Sequence, residues 1–149
     1  MTTQTNKVAI VTGASGGIGA AVAERLAKDG FTVVVNYAGN SASAAAVVAR
    51  IERAGGRAVA AQADISDVAA VARMETAFGG VDVLINNAGI INLATIADSS
   101  YALFDRHIAV NLKGTFNTLR EAARRLRDGG RIVNFSSSVT SLLQPTYGV

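Results

Sequence analysis

Five short apolar runs, separated by longer segments with apolar residues at helical spacing, constrain the fold of this chain. Short runs bounded by turn residues are typical of buried strands, and strands separated by helices cannot pair as hairpins. The pattern therefore predicts a parallel sheet with helices on both faces, a doubly wound α/β fold. The predicted strands are Val8–Val11, Phe31–Val35, Arg57–Ala63, Val81–Ile85 and Arg131–Phe135.

Four helical segments alternate with these strands along the 149 residues. Apolar residues three or four positions apart form one face of each segment, and glycines follow the segment ends, as C-cap residues do. The predicted helices are Ile18–Asp29, Ala42–Arg53, Val68–Phe78 and a long helix that begins after a capping Asp98 or Ser99 and reaches about Leu126. No linker, repeat or charge block divides the chain, so we expect residues 1–149 to form one domain.

Composition excludes several kinds of site. The sequence has no cysteine and a single histidine, His107, so we expect no metal site and assign His107 no catalytic role. The net charge is +3, but the basic group from Arg120 to Arg131 falls at a predicted helix end, which favours solvated cations over nucleic-acid binding. No apolar run approaches the roughly 20 residues of a membrane helix, so we expect a soluble, cytoplasmic protein.

A glycine-rich loop, Thr12 to Gly19, joins the first predicted strand directly to the first helix. Gly13 permits the tight turn, Gly17 lets the backbone approach a pyrophosphate, and Gly19 lets the helix pack close to the sheet. The helix N-terminus supplies free N–H groups and a positive dipole end, to which the Ser15 hydroxyl adds a donor. This context predicts a Rossmann-type dinucleotide site.

The loop, taken with Asn86–Gly89 after the fourth strand, resembles the short-chain dehydrogenase/reductase family. Gly13, Gly17 and Gly19 match the TGxxxGxG spacing of its common, shorter members. Gly16 in place of Gly17 equally matches the spacing of the longer, epimerase-like members, but the Asn-Asn-Ala-Gly tetrad favours the common branch. The resemblance implies a cofactor held by loop, strand-end and tetrad residues: Gly13, Ser15, Gly16, Gly17, Ile18, Gly19, Asn36, Asp64, Ile65, Asn87, Ala88 and Gly89.

The end of the second predicted strand bears on the choice of cofactor. It carries no carboxylate to bind a ribose 2′-hydroxyl, which favours NADP over NAD. Asn36 is expected to donate to the 2′-phosphate, with help from Ser41, although position 16 lacks the cation that often accompanies NADP binding. The resemblance also implies that Asp64 accepts from the adenine amine, while a turn or helix-cap role is the alternative for this residue.

The family's active site uses Asn, Ser, Tyr and Lys, and the resemblance assigns two of these roles here. Asn111 matches the asparagine that holds a water in the proton relay, the alternative being a surface asparagine. Ser137 matches the serine that hydrogen-bonds the substrate oxygen, with Ser138 as the alternative. The Tyr and Lys are expected at positions 150 and 154, and Tyr147 is not assigned as catalytic. We therefore expect the 149-residue chain alone to be inactive and to lack the C-terminal part of a larger single-domain fold.

The function implied by the resemblance is hydride transfer between NADP(H) and a carbonyl or alcohol, and a 3-oxoacyl-type ketoreductase is expected. The alternative is a non-catalytic dinucleotide-binding module. The apolar loop Ile90–Ala97 is expected to border an uncharged substrate. The full-length form is expected to be a homo-oligomer, with no nucleic-acid or membrane partner.

Overall fold

The computed structural model describes residues 7–137 as a five-stranded parallel sheet with helices on both faces. The strand order is β3-β2-β1-β4-β5, so the chain winds outward in one direction from β1 and then in the other. This confirms the predicted doubly wound α/β fold. The strands are β1 (Val8–Val11), β2 (Thr32–Tyr37), β3 (Arg57–Gln62), β4 (Val81–Asn86) and β5 (Leu126–Asn134).

The helices follow the predicted order, with one difference in the last of them. The first three are α1 (Gly17–Lys28), α2 (Ser41–Arg53) and α3 (Val68–Thr76). The predicted long helix is divided into α4 (Tyr101–His107), a π-helical segment (Ile108–Gly114) and α5 (Thr115–Arg125). Its N-cap is Ser100, whose hydroxyl accepts from the Leu103 N–H, and not Asp98 or Ser99 as predicted. α5 ends at Arg125 because Leu126 already has extended backbone angles.

β5 starts earlier than the predicted Arg131 because it contains an irregularity that the apolar pattern does not reveal. Leu126 pairs with Val81 and Arg131 with Val83, so the strand carries extra residues at this point. Gly129, with φ +76, lies within the irregular part, where a left-handed conformation is tolerated without a Cβ. From Arg131 onward the ladder is regular and ends at Asn134, which pairs with Asn86.

Two apolar layers cover the sheet. On one face, Val33 and Val35 pack with alanines of α1 and with Val47 and Ile51 of α2. On the other face, residues including Val34 pack with α3 and α5. Successive residues of β2 point to opposite layers, which explains why an unbroken apolar run forms this strand.

The cations at the end of α5 lie in ion pairs. Arg124 and Arg125 contact the Glu121 carboxylate, and Arg127 contacts Asp82 across the sheet edge at 2.7 Å. Within residues 7–137, none of the helices has the length and apolar character needed to cross a bilayer.

Candidate functional site

Gly13 and Gly19 are required by the fold itself. Gly13 has φ +62, and a Cβ there would lie 2.8 Å from the Ala88 Cα. A Cβ on Gly19 would lie 2.5 Å from both the Gly13 carbonyl oxygen and the Asn87 Nδ2. The turn out of β1 and the entry into α1 are thus packed directly against the Asn-Asn-Ala-Gly tetrad, with no room for side chains.

Gly16 and Gly17 lie in a different environment, because a Cβ on either would meet no atom within 4 Å. Gly16 is the N-cap of α1 and makes no side-chain capping bond, whereas α2, α3 and α4 are each capped by a side chain. Ile18, in the first turn, is 62% exposed. The start of α1 therefore presents helix N–H groups to open space, an arrangement suited to an anion.

Thr12 links the glycine loop to the tetrad. Its buried hydroxyl accepts from the N–H groups of Asn87 and Ala88, each at 3.0 Å, and donates to the Ile85 carbonyl. In return, the side-chain amide of Asn87 donates to the carbonyls of Thr12 and Gly13. The ends of β1 and β4 are consequently held in one rigid arrangement.

We expect Thr12→Val to lower the free energy of unfolding by roughly 2 kcal/mol, because two amide N–H groups lose their acceptor in a buried position. Thr12→Ser keeps the hydroxyl and is the matched control, with a loss of about 1 kcal/mol or less from the missing methyl group. Urea denaturation of the three proteins measures the difference. Equal losses in both variants would show that the hydroxyl does not hold the loop.

A hollow of about 330 Å³ opens at the carboxyl end of the strands, where ligands bind in doubly wound sheets. Its lining comes from the glycine loop, the ends of β2, β3 and β4, and α4 with the π-helical segment. The lining residues are Gly13, Ser15, Asn36, Tyr37, Ala38, Gly39, Ala63, Asp64, Ile65, Asn87, Ala88, Gly89, Ile90, Arg106 and Val110. The structure thus brings most of the predicted cofactor-binding residues around one space.

Asn36 reaches the hollow, but its amide cannot donate to a phosphate as predicted. The side chain is 1% exposed, and its Nδ2 donates to the carbonyls of Ala61 and Ala63. Its Oδ1 accepts from the Gly13 N–H. Both amide hydrogens are already used, so Asn36 braces β2 against β3 and the glycine loop.

Asp64 lies in a turn and also borders the hollow. Its Oδ1 accepts from the backbone and hydroxyl of Ser66, and its Oδ2 lies 3.0 Å from an Arg106 guanidinium nitrogen. Partial burial opposes ionisation, but the hydrogen bonds from Ser66 and the nearby Arg106 outweigh it and lower the pKa of Asp64. The structure therefore shows the turn alternative, while the carboxylate remains 38% exposed at the rim.

Arg106 is a site residue that the sequence reasoning missed. It lies on α4 and lines the hollow, where it contacts Asp64. Its partner Asp64 is 42 positions away in the sequence, so no local pattern indicates the pair.

Asn111, in the π-helical segment, anchors the loop after the tetrad. Its Oδ1 accepts from the Ile90 N–H at 2.8 Å, and its Nδ2 donates to the Ile90 carbonyl at 2.9 Å. Asn111 is exposed at the surface, as the alternative predicted, but both ends of its side-chain amide are bonded to Ile90. Short π-helical segments such as the one that carries Asn111 are frequent at functional sites.

Ser137 follows β5 at the same edge of the sheet. The Asn86 amide donates to the Asn134 Oδ1 at 2.8 Å, and the Phe135 N–H continues the ladder to the Asn86 carbonyl. Thr118 of α5 donates to the Asn86 Oδ1 at 2.7 Å. These bonds fix the strand end that leads into the exposed Ser137. Ser138 and Tyr147 lie outside the described residues.

Comparison with known proteins identifies the family. The model of the short chain dehydrogenase family matches residues 7–149. The chain belongs to the short-chain dehydrogenase family. An uncharacterized oxidoreductase of Methylorubrum extorquens is 49% identical over 147 residues, a match that covers 96% of this chain and 59% of that protein.

Two solved structures of short-chain dehydrogenases carry bound NADP. The angucycline C-6 ketoreductase LanV is 38% identical with a TM-score of 0.91, and the match covers 97% of this chain and 60% of LanV. A short chain dehydrogenase from Burkholderia cenocepacia is 41% identical with a TM-score of 0.88, covering 97% and 61% respectively. This chain thus spans about three fifths of the length of these short-chain dehydrogenases.

Proposed function

We propose that this chain binds NADP(H), with the pyrophosphate on the loop from Gly13 to Gly19. The observation that carries the proposal is the open space at Gly16 and Gly17, directly in front of an α1 N-terminus without a side-chain cap. Free N–H groups and the positive helix end favour phosphate at this point. The hydrogen bonds of Thr12 and Asn87 hold the loop in shape before any ligand arrives.

The preference for NADP over NAD is supported by the end of β2. The segment from Tyr37 to Ser41 carries no carboxylate, so nothing there repels a 2′-phosphate. Because the Asn36 amide is engaged within the protein, the support comes from this lack of repulsion and not from a phosphate donor at Asn36. The two short-chain dehydrogenase structures with bound NADP support the same choice.

The reaction we propose is hydride transfer between this cofactor and a carbonyl or alcohol, with ketone reduction as the biological direction. When bound, the nicotinamide supplies or accepts the hydride. The Ser137 hydroxyl would donate a hydrogen bond to the substrate oxygen, and Asn111 would hold Ile90 beside the same edge of the sheet. The substrate that we propose within this class is a 3-oxoacyl compound, and inactivity of the 149-residue chain alone stays a prediction.

We further propose that residues 1–149 act as one dinucleotide-binding domain. Three side-chain bonds support this because they join distant parts of the sequence: Asn87 to Thr12, Asn111 to Ile90, and Asn117 of α5 to Ile65. The homo-oligomer expected from the sequence remains a prediction, which size-exclusion chromatography with light scattering decides.

Fluorescence titration with NADPH and NADH tests the cofactor proposal. We expect the chain to bind NADPH at least as tightly as NADH, since the segment from Tyr37 to Ser41 carries no carboxylate to repel the 2′-phosphate. Tighter binding of NADH would refute the preference. Binding of neither nucleotide would refute the proposed site.

Gly16→Arg is expected to tighten NADPH binding by about tenfold while NADH binding changes by about twofold or less. Gly16 has extended backbone angles and open space around it, so the fold accommodates an arginine, which adds a cation for the 2′-phosphate. Gly16→Gln is the neutral control, and both affinities are measured by the same titration. An equal gain for both nucleotides would show that the new cation does not contact the 2′-phosphate.

A further inference from the structure

His107 lies at the end of α4 with both ring nitrogens engaged. Its Nδ1 is 2.8 Å from the Leu103 carbonyl oxygen, and its Nε2 is 3.2 Å from the Asn92 backbone nitrogen. A carbonyl can only accept and a backbone N–H can only donate, so the proton must be on Nδ1 and the acceptor must be Nε2. The side chain is 6% exposed, so both contacts are made largely away from solvent.

His107 and Asn111 form a matched pair of anchors for the loop after the tetrad. The two side chains lie four positions apart in the sequence and hold two loop residues that are two positions apart. Asn111 holds Ile90 through both its N–H and its carbonyl, and His107 holds the N–H of Asn92.

The loop held in this way begins at the hollow, which Gly89 and Ile90 line. Residues 87–93 form neither helix nor strand, so regular pairing does not fix their path. Ile90 lines the hollow, while Ile91 and Leu93 are 60% and 59% exposed. Apolar side chains exposed beside the reaction edge suit an uncharged, apolar carbonyl compound.

We propose that His107 is a positioning residue that fixes the path of this loop and thereby the binding of an apolar ketone. The second half of this proposal, the binding of an apolar ketone, rests on the proposed ketone reduction. Its first half, the contact between the imidazole and the Asn92 N–H, is independent of any reaction.

Nuclear magnetic resonance of the ¹⁵N-labelled chain tests the contact, because the single histidine gives an unambiguous signal. We expect a proton on Nδ1 and slow hydrogen exchange at the Asn92 amide. His107→Leu should accelerate that exchange by about tenfold or more without affecting the amides of β1 and β4. His107→Gln offers an acceptor oxygen and should restore much of the protection. Asn92→Ala keeps the backbone N–H and is the matched control, with exchange within about threefold of the parent.

A proton on Nε2, or unchanged exchange at Asn92 in His107→Leu, would overturn the proposal. The cofactor titration separates it from the proposed function, since His107→Leu should leave NADPH affinity within about twofold. The KM is measured in a longer form of the protein that includes the expected Tyr and Lys and reduces a ketone. In that form, His107→Leu should raise the KM of the ketone about fivefold or more with little change in kcat, and His107→Gln should lower the KM again. An unchanged KM would remove the substrate half of the proposal, whereas failure of NADPH binding in the parent would refute the proposed function and leave the exchange result standing.

Discussion

Gly19→Val is expected to abolish dinucleotide binding and to lower the free energy of unfolding by roughly 3 kcal/mol or more. The Cβ alone would lie 2.5 Å from a backbone carbonyl oxygen and from the Asn87 amide nitrogen. The oxygen belongs to Gly13, whose own position is fixed against Ala88, so it cannot give way without shifting the turn. The same displacement breaks the Asn87 bonds to Thr12 and Gly13.

Gly16→Ala is the matched control for this experiment. Gly16 lies three positions earlier with extended backbone angles and no neighbour within 4 Å of its Cβ position. We expect the free energy of unfolding of the Gly16→Ala protein to stay within about 0.5 kcal/mol of that of the parent protein. Urea denaturation and NADPH titration of both variants give the comparison. A Gly19→Val protein that is as stable as Gly16→Ala and binds NADPH normally would contradict the close packing described here.

Glu75 is expected to make the stability of the domain depend on pH. It is fully buried on α3, and neither carboxyl oxygen has a hydrogen-bond partner among residues 7–137. Burial and, to a smaller extent, the charge of Glu121 raise the pKa of Glu75 from its ordinary value of 4.5 to about 8, against the opposing effect of Arg125. The folded protein therefore keeps a proton on Glu75 at neutral pH.

The direction of the pH effect follows from proton binding in the two states. Between pH 4.5 and about 8 the folded state holds the Glu75 proton and the unfolded state releases it. The free energy of unfolding consequently falls as pH rises through this window and levels off above about 8, with a total contribution on the order of a few kcal/mol.

Glu75→Gln is expected to remove most of this pH dependence and to raise the stability of the domain by roughly 2 kcal/mol at about pH 8.5. Glu52→Gln changes the same charge at an exposed position of α2 and is the matched control. Urea denaturation at about pH 5.5 and about pH 8.5 measures both variants and the parent. A parent protein that is more stable at the higher pH, or a Gln variant with the same slope, would contradict a buried protonated Glu75.

The sheet could be predicted because its signal is local. Strands such as Val8–Val11 and Val81–Asn86 are buried on both faces, so each appears as a short apolar run. The glycine loop could also be predicted from the sequence, because the turn and the helix start occupy consecutive residues. The exact start of α4 could not be predicted, because Asp98, Ser99 and Ser100 are all acceptable N-caps and only the backbone path selects Ser100.

The parts of the site that sequence reasoning missed all depend on partners far along the chain. Asn36 is polar at a strand end, but the carbonyls that use its amide come from Ala61 and Ala63, 25 and 27 positions later. His107 was assigned no catalytic role, and its contact with Asn92 could not be predicted because it depends on how the intervening loop returns to α4. Periodicity carries no information on such pairs.

A crystal structure of the chain with NADP bound tests the central claim most directly. We expect the pyrophosphate oxygens to lie within hydrogen-bonding distance, about 3 Å, of backbone N–H groups in the segment from Ser15 to Gly19 at the start of α1. A pyrophosphate bound elsewhere on the molecule, or this segment left empty at saturating NADP, would contradict the assignment.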